Sequence, residues 1–357
     1  MNAPYSRQNE TFPKYAMVLP MIDMRSDFVS RPTEEMIRAM AAEAAEAPAF
    51  GLREDPMQRR LEARAAEMLG KEDALFCPTC TVANQIAIRL FCQPGQTVVA
   101  RDDAHVATTE APSAALTNVK FRLIPGQGAR MAPEDVAAST RPGDVLLVLE
   151  NTHVRSGGRV MPIAEMVALQ GVARANGLRV HLDGSRIFNA ASSLGVPASV
   201  LAANADTVAV SLNKGLAAPM GAVLAGSREA IEQAVHIRTQ FGAAWRPANI
   251  PAAAALVALN TMVDRLEQDH GNARTLAQEL GSLDGVTVDP AQVESNIVLI
   301  RLSKAEQSIA AFLSALEKQG VLGLAFGPDV IRLAVWWGIG AAEVARTVSA
   351  FAAVLRA

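Results

Sequence analysis

Asp183 and Lys214 are the two residues whose types and positions could do chemistry together. An apolar strand pattern over 207–212 stops at Asn213-Lys214-Gly215, and a second begins at Gly221. An ammonium placed where a buried strand meets a glycine-rich turn is costly to desolvate. Burial lowers its pKa toward that of a nucleophilic amine. The competing reading is a loop lysine that snorkels to water. Upstream, Leu178-Arg-Val-His-Leu-Asp-Gly-Ser-Arg carries a short apolar strand that delivers Asp183 at its carboxyl end. Ligands of open α/β sheets sit outside strand carboxyl ends, so both groups could face one crevice. A lysine that holds an aldehyde as a Schiff base, with an acid that keeps a pyridine nitrogen protonated, is the pair that pyridoxal 5'-phosphate needs.

The elements that must position this pair alternate between short apolar strands and helices. Strands are expected over 97–100, 121–124 and 145–149, the last two as buried strands, then at Asp183, over 207–212 and over 219–225. Helices are expected over 33–45, 57–69, 82–91 and 162–175. That alternation argues for an α/β fold with a mainly parallel sheet. Long alanine-rich helices follow from 227 to 280. Strand–strand–helix–strand–helix over 286–288, 297–302, 305–319, 331–337 and 341–355 reads as a small α+β C-terminal domain. The expected division is an arm over 1–20, a large domain over 21–248, and a helical linker with the small domain over 249–357.

Several stretches carry more than composition. They are Ile22-Asp-Met-Arg-Ser-Asp-Phe-Val-Ser-Arg-Pro-Thr, Thr81-Val-Ala-Asn-Gln, Glu150-Asn-Thr-His-Val-Arg-Ser-Gly-Gly-Arg-Val, His181-Leu-Asp-Gly-Ser-Arg and Ser211-Leu-Asn-Lys-Gly-Leu-Ala-Ala-Pro-Met-Gly. Together they resemble the L-threonine aldolase group within the pyridoxal-phosphate β-eliminating lyases, from Met21 to the end of the chain. The resemblance implies the fold type I, aspartate-aminotransferase-like architecture, with the cofactor between the large domain and the small one. It also implies cleavage of L-threonine, L-allo-threonine or a related β-hydroxy-α-amino acid to glycine and an aldehyde.

Roles follow position by position. Lys214 would hold the cofactor aldehyde, Asp183 its pyridine nitrogen, and His105 would stack on its ring. The turn at Cys80 and Thr81, feeding a helix N-terminus, would hold the phosphate. Arg246 would reach the phosphate of an adjacent subunit, which implies a dimer or tetramer with shared sites. Ser26, Arg186 and Arg332 would hold the substrate carboxylate. His153 would take the proton of the β-hydroxyl or, alternatively, orient a hydrogen-bond partner. The chain departs from the group around the pocket. Phe50 stands where a tyrosine is usual, Cys80 where glycine is, Thr108 and Thr109 where aromatic residues are, and Thr239 where a lysine is. Val335-Trp336 stands where Thr-His is. These changes leave side-chain specificity open. The alternatives are a β-eliminating reaction on another amino acid and, more remotely, a cofactor-binding protein without turnover.

Composition removes other classes. The chain has 357 residues, half of them hydrophobic, and a net charge of −3; its mean hydropathy is +0.17. That supports a large core and excludes disorder. There is no block of basic residues to bind nucleic acid or an anionic membrane. No run is apolar enough to span a bilayer, and 1–20 lacks the apolar centre of a secretory signal, so a cytoplasmic location is expected. No G-x-G-x-x-G follows a strand, against a dinucleotide oxidoreductase. Cys77-Pro-Thr-Cys80 and Cys92 are the three cysteines. They offer neither a second metal-ligand pair nor an even disulfide count, so no metal and no redox role is expected.

Overall fold

The computed structural model describes residues 21–47, 49–303 and 308–356. The arm expected over 1–20 lies outside the described residues, as do 304–307, where the helix expected over 305–319 would begin.

The chain opens with β1 (Ile22–Asp23) and α1 (Glu34–Glu43), whose first turn is capped by Thr33 Oγ1 accepting from the Met36 amide. α2 (Pro56–Leu69) starts behind Asp55, which caps the Gln58 amide. Its proline occupies the first turn, where a missing N–H costs nothing. β2 (Asp73–Cys77) leads to α3 (Cys80–Phe91), and β3 (Thr97–Arg101) to the short α4 (Ala114–Thr117). β4 (Lys120–Ile124), α5 (Pro133–Ser139), β5 (Asp144–Glu150), α6 (Ile163–Ala175) and β6 (Arg179–Asp183) continue the alternation. Then come α7 (Ile187–Leu194), α8 (Ala198–Ala202), β7 (Thr207–Ser211) and β8 (Ala222–Gly226).

These strands form one seven-stranded sheet in the order β2-β8-β7-β6-β5-β3-β4. β3 to β7 pair parallel, whereas β8 runs antiparallel to both β2 and β7. The reversal has a local cause. Only the Lys214 turn joins β7 to β8, and a parallel return needs a crossover of a dozen or more residues. β4 corrects the expectation of a buried strand. It is the sheet edge, and only Ile124 of its five residues is buried.

Three helices follow the sheet: α9 (Arg228–Gln240), α10 (Asn249–Thr261) and α11 (Leu266–Gly281). The C-terminal region comprises β9 (Val286–Thr287), β10 (Ile297–Leu302), α12 (Ile309–Lys318), β11 (Val321–Leu322), β12 (Leu324–Ala325), β13 (Val330–Ala334) and α13 (Ala341–Leu355). β12-β13-β10-β9 form an antiparallel sheet. Arg332 therefore lies mid-strand, and the strand stops at Ala334 rather than at 337.

Among the described residues, apolar burial forms four clusters, two of them large. The larger packs Leu147, Val180, Leu182, Val208 and Val210 of the central sheet against α1, α2, α7, α8 and α10. The second joins Val298, Ile300, Ile331 and Leu333 to Leu276, Phe312 and Phe351, the two phenylalanine rings 5.4 Å apart. Each such side chain contributes about 1.5–3 kcal/mol by leaving water. Ile22 and Met24 belong to this second core. β1 pairs parallel with β11, and the Met24 carbonyl accepts from the Ala334 amide. The N-terminal segment is thus tied to the C-terminal sheet before it turns at Asp27–Val29 toward Lys214.

Candidate active site

β7 ends at Ser211, whose Oγ donates to Asn213 Oδ1 across 2.8 Å, and the turn that follows places Lys214 inward. Ser30 Oγ donates to the Lys214 carbonyl at 2.9 Å and fixes the backbone there. The side chain is 6% exposed, and its amine has no hydrogen-bond acceptor among the described residues. Nζ lies 5.0 Å from the centroid of the Phe28 ring. Burial, and then the neighbouring Arg186 guanidinium, lower its pKa against the opposing pull of Asp183 and Asp27. The solvent-seeking alternative fails: this lysine is desolvated and unpaired, as a nucleophilic amine must be.

Asp183, at the carboxyl end of β6, is buried. Burial alone would favour the neutral acid. His105 and Lys214, with hydrogen bonds from Ser185, outweigh it and hold the carboxyl below its ordinary pKa. Ser185 donates to Oδ1 from Oγ at 2.6 Å and from its amide at 3.1 Å, and Asn84 donates to Oδ2 at 3.0 Å. Asn84 in turn receives His181 Nε2 on its Oδ1 at 3.0 Å.

A second carboxylate, Glu110, gathers the groups on the other side. Its Oε1 meets His105 Nδ1 at 2.9 Å, Asn84 Nδ2 at 3.1 Å and the Thr81 hydroxyl at 3.1 Å. Burial opposes the charged His105 ring. The Glu110 hydrogen bond, with Asp183 and Glu150 nearby, prevails and raises its pKa. Glu150, the last residue of β5, accepts from the His105 amide at 2.7 Å and from the Val154 amide at 2.8 Å. Burial, reinforced by Asp183, pushes its carboxyl up to about 7. Because the Glu110 hydrogen bond raises the His105 pKa, Glu110→Gln should lower it. A pH titration of the ring by NMR checks this, and an unchanged midpoint would refute it.

The segment after β1 brings a third acid. Asp27, fully buried, grips Arg186 bidentately through Nε at 2.8 Å and Nη2 at 2.6 Å, and accepts from Asn296 Nδ2 at 3.1 Å. Despite its burial, the Arg186 guanidinium holds its carboxyl far below the usual range. Arg186 is therefore already engaged. Arg332 is different. It donates from Nη2 to the Arg25 carbonyl at 2.8 Å, stacks 5.2 Å from the Phe326 centroid, and leaves its buried Nε without a partner. Burial and then the Arg186 charge lower its pKa to about 10. Arg332 thus has an unpaired Nε, whereas Arg186 has Nε and Nη2 on Asp27. Ser26 caps the Asp27–Val29 turn, with Oγ accepting from the Phe28 amide.

His153 stands apart from this group. Its Nδ1 accepts from the Ser156 amide at 3.2 Å, and Nε2 lies 3.3 Å from Asp103 Oδ1 without the alignment of a hydrogen bond. Burial, with Arg101 nearby, lowers its pKa to about 4. The ring is neutral, and its Nδ1 lone pair is taken, so Nε2 carries the proton.

Thr79, not Thr81, caps α3, accepting from the Val82 amide, so the helix starts at Cys80 rather than at 82. Cys80 Sγ lies 3.1 Å from Ser185 Oγ, whose own proton goes to Asp183. Burial pushes the Cys77 thiol up to about 12 and raises Cys80 as well, so neither is a thiolate. Arg246 and Phe50 face each other at the surface, guanidinium 5.4 Å from the ring centroid, with Phe50 88% exposed. Thr108 and Thr239 turn their hydroxyls onto the Ala104 and Val235 carbonyls, Thr109 is exposed, and Trp336 Nε1 donates to the Asp23 carbonyl at 2.9 Å.

Asp27, Asn84, Ser185, Asn296 and Phe28 join the site without having been singled out in the sequence. The polar residues 81, 84 and 85 on one buried face of α3 were the available signal, since a helix face turned to a core is normally apolar.

The family model for beta-eliminating lyase matches residues 23–303. The chain belongs to that family. Within it the chain falls in the threonine aldolase group. It is 35% identical to Low-specificity L-threonine aldolase 1 of Arabidopsis thaliana, covering 94% of this chain and 96% of that one. It is 34% identical to the Low specificity L-threonine aldolase of Escherichia coli K12, covering 85% and 90%. Among solved structures, the Leishmania major threonine aldolase superposes with a TM-score of 0.80 at 19% identity, over 94% of this chain and 99% of that one. The Rhizobium meliloti aspartate aminotransferase superposes with a TM-score of 0.70 at 17% identity, over 94% and 92%. The fold is the expected type I architecture, and the family member is a pyridoxal-phosphate-dependent lyase. The donor set fits that cofactor: an unpaired, desolvated amine stands near a buried, ionised carboxylate and a histidine that a carboxylate orients. No helix among the described residues is long and apolar enough to cross a membrane.

Proposed function

We propose that this lyase cleaves L-threonine, L-allo-threonine or a related β-hydroxy-α-amino acid to glycine and an aldehyde. The observation that carries the reading is the desolvated Lys214 amine beside ionised Asp183, in a chain whose full-length relatives are named L-threonine aldolases. When bound, pyridoxal phosphate supplies the electron sink that lets the Cα–Cβ bond break. Lys214 is the residue that would hold it covalently. Asp183 would keep its ring nitrogen protonated, and His105, fixed by Glu110, would lie against its ring. The α3 turn at Cys80 and Thr81 would receive the phosphate through backbone amides, since the Thr81 hydroxyl already serves Glu110. Arg246, exposed with Phe50, supports the sharing of sites between subunits of a dimer or tetramer. The two apolar cores support a large and a small domain, with α10 packed in the larger.

Arg332, with Ser26 close by in sequence to its Arg25 partner, takes the substrate carboxylate and so orients the scissile bond. Arg186 acts on that carboxylate indirectly, as the fixed positive charge that Asp27 holds in place. His153, donating from Nε2, suits the orienting alternative. Taking the β-hydroxyl proton itself would require the other tautomer and loss of the Ser156 amide bond.

Incubating the loaded protein with L-threonine should release glycine and acetaldehyde in equal amounts. Release of ammonia and a 2-oxo acid would assign it a β-elimination instead. Arg332→Ala should raise KM for L-threonine about 10- to 100-fold, the loss expected for a charged hydrogen-bonding partner. An unchanged KM would remove Arg332 from the site.

A further inference from the structure

A second arginine, Arg155, sits on the same aromatic platform as Arg332. Phe326 follows β12, and its amide donates to the Val330 carbonyl at 2.8 Å, closing the hairpin whose next strand carries Arg332. The Arg332 guanidinium lies 5.2 Å from the Phe326 centroid and that of Arg155 lies 5.7 Å from it. Arg155 comes from the Val154–Ser156 turn, two residues after His153, and that turn is pinned by Glu150 accepting from the Val154 amide. So the large sheet and the C-terminal sheet each deliver one guanidinium to one ring.

Neither cation has a carboxylate partner among the described residues. Arg53, Arg101, Arg122, Arg159 and Arg265 all have one. Arg155 is exposed and Arg332 half-buried, so two like charges share one ring, and an anion brought beside them is favoured by both. Arg155 contributes to the lowering of the Arg332 pKa, which places the two charges within reach of each other. One guanidinium suffices for one α-carboxylate, because a single bidentate pair satisfies both oxygens. The second cation is surplus for a monocarboxylic substrate such as threonine.

We infer that Arg155, with Phe326, forms a subsite for a second acidic group on the substrate side chain, so that the preferred substrates are β-hydroxy-α-amino dicarboxylic acids. This rests on the aldolase reading above. For the shortest such substrate, 3-hydroxyaspartate, the Cα–Cβ bond breaks and the β-hydroxyl loses its proton as it becomes a carbonyl. Cα gains a proton, and the products are glycine and glyoxylate, with no oxidant or reductant required.

The test uses the cofactor-loaded protein and the variants Arg155→Gln and Arg155→Lys. Glycine release is measured from L-threonine, from both β-epimers of L-3-hydroxyaspartate and from L-3-hydroxyglutamate. Separately, binding of unreactive L-aspartate and L-alanine is read from the cofactor absorption band. The expected results are that kcat/KM for at least one dicarboxylic substrate exceeds that for threonine by about tenfold or more, and that Arg155→Gln lowers that value about 10- to 100-fold. Threonine turnover should stay within about twofold, and Arg155→Lys should recover part of the loss. Turnover of threonine with no gain for either acid length would overturn the inference. So would an equal loss on all substrates, which would make Arg155 a holder of the α-carboxylate. If no substrate yields glycine, the aldolase reading fails. The binding data then decide alone: an L-aspartate preference lost in Arg155→Gln sustains the acidic subsite, and no preference refutes it.

Discussion

Asp27→Asn is expected to destabilise the protein by about 3–5 kcal/mol, the cost of leaving one member of a buried ion pair without its partner. The charge at risk is Arg186, 6% exposed, whose only carboxylate contacts among the described residues are the 2.8 and 2.6 Å bonds to Asp27. Asparagine keeps the shape but offers one weak acceptor where two charged oxygens stood. Because Asp27 also anchors the turn that carries Phe28 over the Lys214 amine, activity should fall along with stability. The acid limb gives an independent check. The folded-state pKa of Asp27 is lowered, so its contribution is fully present above the unfolded carboxylate pKa of about 4 and is lost as pH falls toward the folded value. Urea unfolding at pH 7 and below pH 4 should therefore show the wild-type advantage shrinking with acid. A loss under about 1 kcal/mol at pH 7 would mean that Arg186 finds other partners.

Asp183→Asn should leave the fold standing and lower kcat by about 10²- to 10⁴-fold, the range for removing a charge or proton group aimed at the reacting centre. The amide can still accept from the Ser185 hydroxyl, so Oδ1 keeps its hydrogen bond. What is lost is the negative charge that balances His105 and Lys214 and would hold a pyridine nitrogen protonated. The expected pattern is a near-wild-type melting temperature, retained cofactor and a reduced kcat. A variant with undiminished kcat would show that the acid has no part in the chemistry. One that fails to fold is answered by Asp183→Glu, which keeps the charge and should regain part of the turnover.

Much of this site could be read along the chain. Short apolar runs ending at Asp183 and Lys214 reported the parallel sheet and the strand ends where ligands gather, and the two motifs named the cofactor chemistry. What could not be read was pairing across distance. Arg186 looked like a free cation for substrate, yet its partner Asp27 lies 159 positions away, and no local pattern records that bond. His105, Glu110 and Asn84 became one cluster only because α3 and the segment after β3 pack together. Local errors have local causes. Thr79 caps α3, so the helix begins at Cys80 rather than at the expected 82. β4 has strand composition but sits at the edge, where half-exposed residues suffice. α7 and α8 are short and interrupted by Gly195 and Pro197, and so lacked a readable period.

The most direct test of the account asks which amine carries the cofactor. The protein is loaded with pyridoxal phosphate, treated with borohydride to fix the carbonyl–amine linkage as a stable secondary amine, digested, and mapped by mass spectrometry. Lys214 should be the one modified residue, with no fixed cofactor in Lys214→Ala. A label on Lys71 or any other lysine, or an undiminished label in Lys214→Ala, would contradict it.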